Sequence, residues 1–178
     1  MPVRHEIKSQ LAKLLATEDL IVENKKVETA EFNVHTRVLT LPLWDRASNN
    51  VYDMLVGHEV GHALYTPDTE WFLERKISHQ FVNIVEDVRI EKLIKRRYPG
   101  LSKTFFNAYN ELSDNDFFDV QGKDLDGLNL ADRINLYFKI GNFVDIDFSI
   151  EEMLYVNKVD SCETVSYTHL TLPTSDLV

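Results

Sequence analysis

A single cysteine, a shortage of cations and the absence of any long apolar run set the first limits on this chain. Cys162 stands alone among 178 residues, so no internal disulfide can form, and a reducing, cytoplasmic compartment is the expectation. Lysine and arginine number 19 against 29 acidic side chains, for a formal net charge of −10. A surface of that sign repels nucleic acid and anionic membranes, and neither is the expected partner. The opening MPVRHEIKSQ has no apolar segment of the kind a signal peptide needs. Nothing approaches the roughly 18 consecutive apolar residues of a membrane span. What remains is the balance of a soluble globular protein, with 44% hydrophobic and 27% charged residues and length for one domain with a real core.

Hydrophobic spacing predicts the elements. Ile7, Leu11, Leu14 and Leu15 recur at helical intervals in residues 4–16. Residues 20–43 are rich in β-formers and read as two or three short strands ending at Pro42. Ser48, Asn49 and Asn50 offer caps for a helix over about 51–64, which Thr66-Pro67-Asp68 stops. A long helix is predicted over 70–97, with a break near Ser78 and cations on its last turn. Residues 102–112, 129–140 and 149–159 read as helices, and the acidic stretch 113–128 reads as a solvated loop without calcium-loop spacing. No internal repeat is visible. The expected fold class is α+β: a small N-terminal β-sheet, then an active-site helix and a helical C-terminal half.

One stretch needs a chemical explanation. LVGHEVGHALYTP, residues 55–67, places His58 and His62 four apart with Glu59 beside the first. On a helix, positions i and i+4 share a face, and two imidazoles can reach one ion. Glu59 lies about 100° around the helix from His58, close enough to reach a water at the metal without ligating the ion. This is the H-E-x-x-H arrangement, in which metal and glutamate together activate water. Gly57 and Gly61 each cost about 1 kcal/mol of helix propensity against alanine. They form a bare strip beside the histidines, which a closely packed neighbour would explain.

Two histidines leave a zinc site incomplete. Asp68 and His79 are candidates for the third ligand, but Tyr65 stands where a glycine would be needed to turn the chain back toward Asp68. The acids of QFVNIVEDVRIEKLIKRR, residues 80–97, are better placed. Stepping about 100° per residue puts Glu86, Arg89, Lys92 and Arg96 on a solvent face. Asp87 and Glu91 fall on the opposite, apolar side with Ile84, Val88, Ile90 and Ile94. Buried carboxylates are costly unless paired or bound to metal, which makes Asp87 the leading third ligand and Glu86 its rival. Glu91, one turn on, would accept a hydrogen bond from a ligating histidine. Asn83 falls on the same side as Asp87. Tyr65 and His79 could also stabilise an oxyanion, although core or surface roles suit each better. His5 and His35 read as surface residues, the KLIKRR run as a solvated helix end, and Phe105, Phe106 and Tyr109 as core. The strand region HTRVLTLP, residues 35–42, is in position to hold a substrate backbone as an edge strand.

HEVGHALYTP followed by NIVEDVRIE resembles the gluzincin type of zincin metallopeptidase. The resemblance implies a Zn²⁺ cofactor held by His58, His62 and Asp87, with Glu59 as general base and Glu91 as the acid behind a ligand. The family's asparagine directly before its glutamate ligand is absent here. EDVRIE after such a site also resembles the peptidase-like N-terminal regions of CobT-like von Willebrand factor A domain proteins of tailed phages and bacteria. That resemblance covers about residues 4–164. It implies a further C-terminal von Willebrand domain, a bacterial or phage-infected cytoplasm, and a MoxR-type AAA+ ATPase as partner. A catalytically silent, zinc-stabilised module is the alternative to a peptidase acting on peptide or protein substrates. Four protein ligands, Glu91 included, would mark the former; an open cleft along residues 35–42 would mark the latter. The last residues, VSYTHLTLPTSDLV, resemble the translation of a sequencing adapter. They are expected to be a non-native tail over 165–178, and His169 is set aside with them. Residues 1–164 are then expected to be the N-terminal part of a longer protein.

Overall fold

A computed structural model describes residues 4–44, 47–68 and 78–163. The chain forms two compact units, residues 1–69 with 90–108, and residues 70–89 with 109–178. The expected α+β class holds, and the element boundaries fall within a few residues of those read from the hydrophobic spacing. The tail, and the first part of the predicted helix before Ser78, lie outside the described residues. None of the described helices is long and apolar enough to cross a membrane.

The first unit opens with helix α1 (His5–Ala16), which buries Ala12, Leu15 and Ala16. Three strands follow: β1 (Ile21–Lys25), β2 (Glu31–Asn33) and β3 (Val38–Pro42). Their order is β1-β3-β2, with β3 parallel to β1 and antiparallel to β2. The β2–β3 turn is held by the Asn33 side chain, whose Oδ1 accepts from the amides of His35 at 3.0 Å and Thr36 at 2.8 Å. Arg37 closes that turn with a left-handed φ of 56°. Its guanidinium donates to the Ala63 carbonyl at 2.9 Å, pairs with Glu18 and stacks on Phe32. One arginine thus ties the hairpin to the end of helix α2 (Asn49–Tyr65).

Helix α2 starts where Ser48 caps it, the hydroxyl accepting from the Val51 amide. It is buried around most of its circumference, with Tyr52, Val56 and Val60 fully enclosed. Burying each such side chain contributes on the order of 1.5–3 kcal/mol. Tyr52 also spends its hydroxyl on the end of β3, donating to Pro42 O at 2.6 Å and accepting from Trp44 N at 2.8 Å. Lys8 of α1 reaches Asp53 of α2 at 2.6 Å. Sheet, α1 and α2 are therefore pinned by polar contacts at defined points of an apolar interface.

Helix α3 (His79–Arg97) belongs to both units, because the division falls between Arg89 and Ile90. Helix α4 (Gly100–Asp114) follows almost at once. In the second unit the first half of α3 supplies Phe81, Ile84, Val85 and Val88 to a core. The core also takes Leu130, Ala131 and Ile134 from helix α5 (Leu130–Ile140), and Val156 and Val159 from helix α6 (Ile150–Asp160). Asn129 caps α5, and Ser149 with Glu152 forms a complete capping box on α6. The loop after α4 is organised by Asp116, whose carboxylate accepts from the amides of Val120 at 2.8 Å and Gln121 at 3.0 Å.

Candidate metal centre

The two glycines explain how α2 comes to face other helices so closely. A Cβ on Gly61 would stand 2.9 Å from Ile90 Cδ1, 3.3 Å from Ile90 Cβ and 3.4 Å from the Ile90 carbonyl oxygen. A Cβ on Gly57 would stand 3.0 Å from the Phe105 ring. The bare strip read from the sequence is filled by Ile90 of α3 and Phe105 of α4. The close approach at Ile90 brings the next residue, Glu91, onto His58.

His58 Nδ1 lies 3.0 Å from Glu91 Oε1, and the carboxylate's other oxygen accepts from Lys95 Nζ at 3.0 Å. His62 Nδ1 lies 2.8 Å from Thr66 Oγ1, one turn further along the chain. With the proton on each Nδ1, both contacts are satisfied and Nε2 is the nitrogen that carries the ring's lone pair. The two imidazoles stand at 73° with centroids 5.0 Å apart. Helix α3 is continuous, so Asp87 stands one turn before Glu91. One donor atom from each of His58, His62 and Asp87 lies within 4.8 Å of the other two. A tetrahedral ion with ligands at about 2.0–2.1 Å needs donors roughly 3.3 Å apart, somewhat closer than that upper bound. Two imidazoles and one carboxylate are a donor set suited to a divalent metal ion, with coordination positions to spare. This group is the one such gathering among the described residues.

The other candidates fall away for visible reasons. Glu86 is not on a solvent face: it is buried, and so is Arg89. The Arg89 guanidinium donates to both of its oxygens, at 2.9 and 2.7 Å, and Glu86 is not among the residues gathered with the histidines. Asp68 pairs with His35 at the surface, and the His79 ring meets the Asn83 amide at an exposed position. Asn83 therefore serves the start of α3 rather than the metal group. Glu59, next to His58 in sequence on α2, is buried. The two oxygens of Glu91 are turned to His58 and Lys95.

Two contributors escaped the sequence reading. Thr66 was read only as part of a helix stop, although its hydroxyl sits four residues beyond His62, where a helical neighbour belongs. Lys139, 52 residues from Asp87, donates to Asp87 Oδ2 at 3.0 Å, and no local pattern announces so distant a pair. The substrate-strand expectation for residues 35–42 is overturned. β3 is the central strand, paired on both sides, and has no edge to offer. The strand that packs against α2 at the rim of the sheet is β2. Comparison with protein-family models, curated proteins and solved structures gives no match.

Proposed function

We propose that this protein is a zinc-dependent metallopeptidase, with His58, His62 and Asp87 holding the ion and Glu59 acting as general base. The observation that carries this reading is the convergence of the three donors, with Nδ1 of each histidine already engaged by Glu91 or Thr66. Zinc, when bound, supplies Lewis acidity toward a carbonyl oxygen and brings the pKa of water down to about 7.

The chain's own residues do the rest. Glu91 fixes the His58 ring and its tautomer, and raises the basicity of the nitrogen that faces the ion. Thr66 does the same for His62. Glu59 stands one residue from His58 on a rigid, buried helix, so its carboxylate takes the proton of an attacking water and passes it to the departing amine. Among the described residues β2 ends the sheet, and its outer side beside α2 offers backbone groups to an extended peptide. Engagement of both Glu91 oxygens away from the ion supports an open, catalytic site over a closed, structural one.

The test pairs metal content with turnover. Mass-spectrometric metal analysis of the full chain is expected to give one zinc per molecule. Glu59→Gln is expected to keep that zinc and lose at least about 100-fold of hydrolysis of a fluorescently labelled denatured casein. Full activity of the zinc-loaded variant, or a folded wild type without affinity for zinc, overturns the reading.

A further inference from the structure

We infer that Lys139 is a positioning residue for the metal centre: it holds Oδ2 of Asp87, so that Asp87 presents one oxygen, and only one, to the ion. The inference rests on the proposed metal site and adds to it a residue from outside the motif.

The contact is a direct one, Lys139 Nζ to Asp87 Oδ2 at 3.0 Å, with both side chains about four-fifths shielded from water. Shielding of that degree makes the pair worth more than an exposed one and less sensitive to salt. The lysine hangs from a stiff support. Helix α5 is capped by Asn129, and it buries Ile134 and Ile140 completely on either side of the turn that carries Lys139. Arg133 of the same helix ties it to the Leu128 and Asp147 carbonyls at 3.2 and 2.8 Å. A head group on such a helix returns to the same place.

The chemical consequence lies in denticity. A carboxylate can give a metal one oxygen or two. With Oδ2 held by an ammonium, the second oxygen is already spent, and chelation by both would cost the ion pair. Coordination by one oxygen keeps the protein ligand count at three and leaves positions open for water and a substrate carbonyl. The molecule uses the same device a turn away, where Lys95 holds one oxygen of Glu91 and leaves the other for His58.

Cobalt(II) in place of zinc makes coordination number visible, since four-coordinate cobalt absorbs much more strongly in the visible than five- or six-coordinate cobalt. The experiment compares the cobalt-loaded full chain as wild type, Lys139→Met and Lys139→Arg, with affinity measured against a chromophoric chelator. Wild type is expected to show the intense band. Lys139→Met, which keeps length and loses charge, should lose much of that intensity and bind metal about 10–100-fold more weakly. Lys139→Arg should restore both. An unchanged spectrum and affinity in a folded Lys139→Met overturns the inference and leaves the metal site standing. So does a failure of Lys139→Arg to restore the band in a folded protein. A wild type that binds no cobalt and no zinc removes the metal-site reading itself.

Discussion

Glu86 and Glu91 sit on the same helix, five residues apart, and both are 5% exposed. Their partners make them opposites. Glu86 meets Arg89, a permanently charged planar fork that satisfies both carboxylate oxygens from the same helix. The pair is closed on itself through both oxygens. Glu91 meets His58, whose ring carries a second nitrogen on its far side, so the influence of the carboxylate passes through the imidazole to whatever that nitrogen touches. A buried acid is therefore not in itself a sign of a site. What matters is whether its partner has another face.

The sharpest way to break this comparison is to truncate the closed pair. Glu86→Ala takes from the Arg89 guanidinium, which is 3% exposed, the carboxylate to which it donates twice. Removing one partner of a buried pair costs about 3–5 kcal/mol, which should appear as a large fall in the urea midpoint. The double replacement Glu86→Met with Arg89→Leu should recover most of that loss, because an apolar pair of similar volume avoids the desolvation penalty. Zinc content should stay at the wild-type level in whatever fraction remains folded. Loss of zinc from folded Glu86→Ala would mean that Glu86 is not closed after all.

Truncating the open acid should act on metal rather than on folding. Glu91→Ala leaves Lys95 able to turn its ammonium to water, since its side chain is 29% exposed. The stability loss should be smaller than for Glu86→Ala. Without its acceptor, His58 loses orientation and tautomer control, and metal affinity should fall about 10–100-fold in a chelator competition. Equal affinity in wild type and Glu91→Ala would reduce Glu91 to a packing residue.

Helix α3 also marks where sequence reasoning reached its limit. The order and type of elements were legible because α2, α5 and α6 carry side-chain caps and α1 carries helical spacing, which local physics can decode. The motif on α2 was legible because i, i+4 geometry needs no tertiary information. The phase of α3 was legible in part. Ile84, Val88, Ile90, Ile94 and Glu91 are buried as expected, and Asp87 joins the histidines. Glu86 and Arg89 were assigned to solvent because a single amphipathic stripe was assumed. The helix has no single stripe: its first half feeds one core through Phe81, Ile84, Val85 and Val88, while Ile90 meets Gly61 in the other unit. A charged pair that neutralises itself at i, i+3 can then be buried where each charge alone could not. The place of β3 failed for a different reason. Residues 35–42 alternate like an edge strand, but strand order is fixed by long-range pairing, and β1 joins β3 in parallel across the position that adjacency would have left open.

The smallest expected effect comes from a third acid–base pair that grades the comparison by exposure. Arg133 and Glu152 form the same guanidinium–carboxylate contact as Arg89 and Glu86, in the second unit, with Glu152 nearer to water. The Arg133 hydrogen bond, and then the Ser149 amide, hold the Glu152 carboxyl below the ordinary glutamate value. A carboxylate whose folded pKa is depressed stabilises the fold above its unfolded pKa of about 4.3, and that contribution disappears as pH falls through the folded value. Glu152→Gln keeps the capping box, since glutamine can also accept from the Ser149 amide, and removes the charge alone. Its thermal midpoint should lie slightly below wild type at about pH 7, and the gap should close as pH is lowered toward about 2. A gap of constant size across that range would mean that the pair acts through shape and not through charge. The closed geometry of Glu86 and Arg89 would then be the better guide to how arginine forks stabilise this protein.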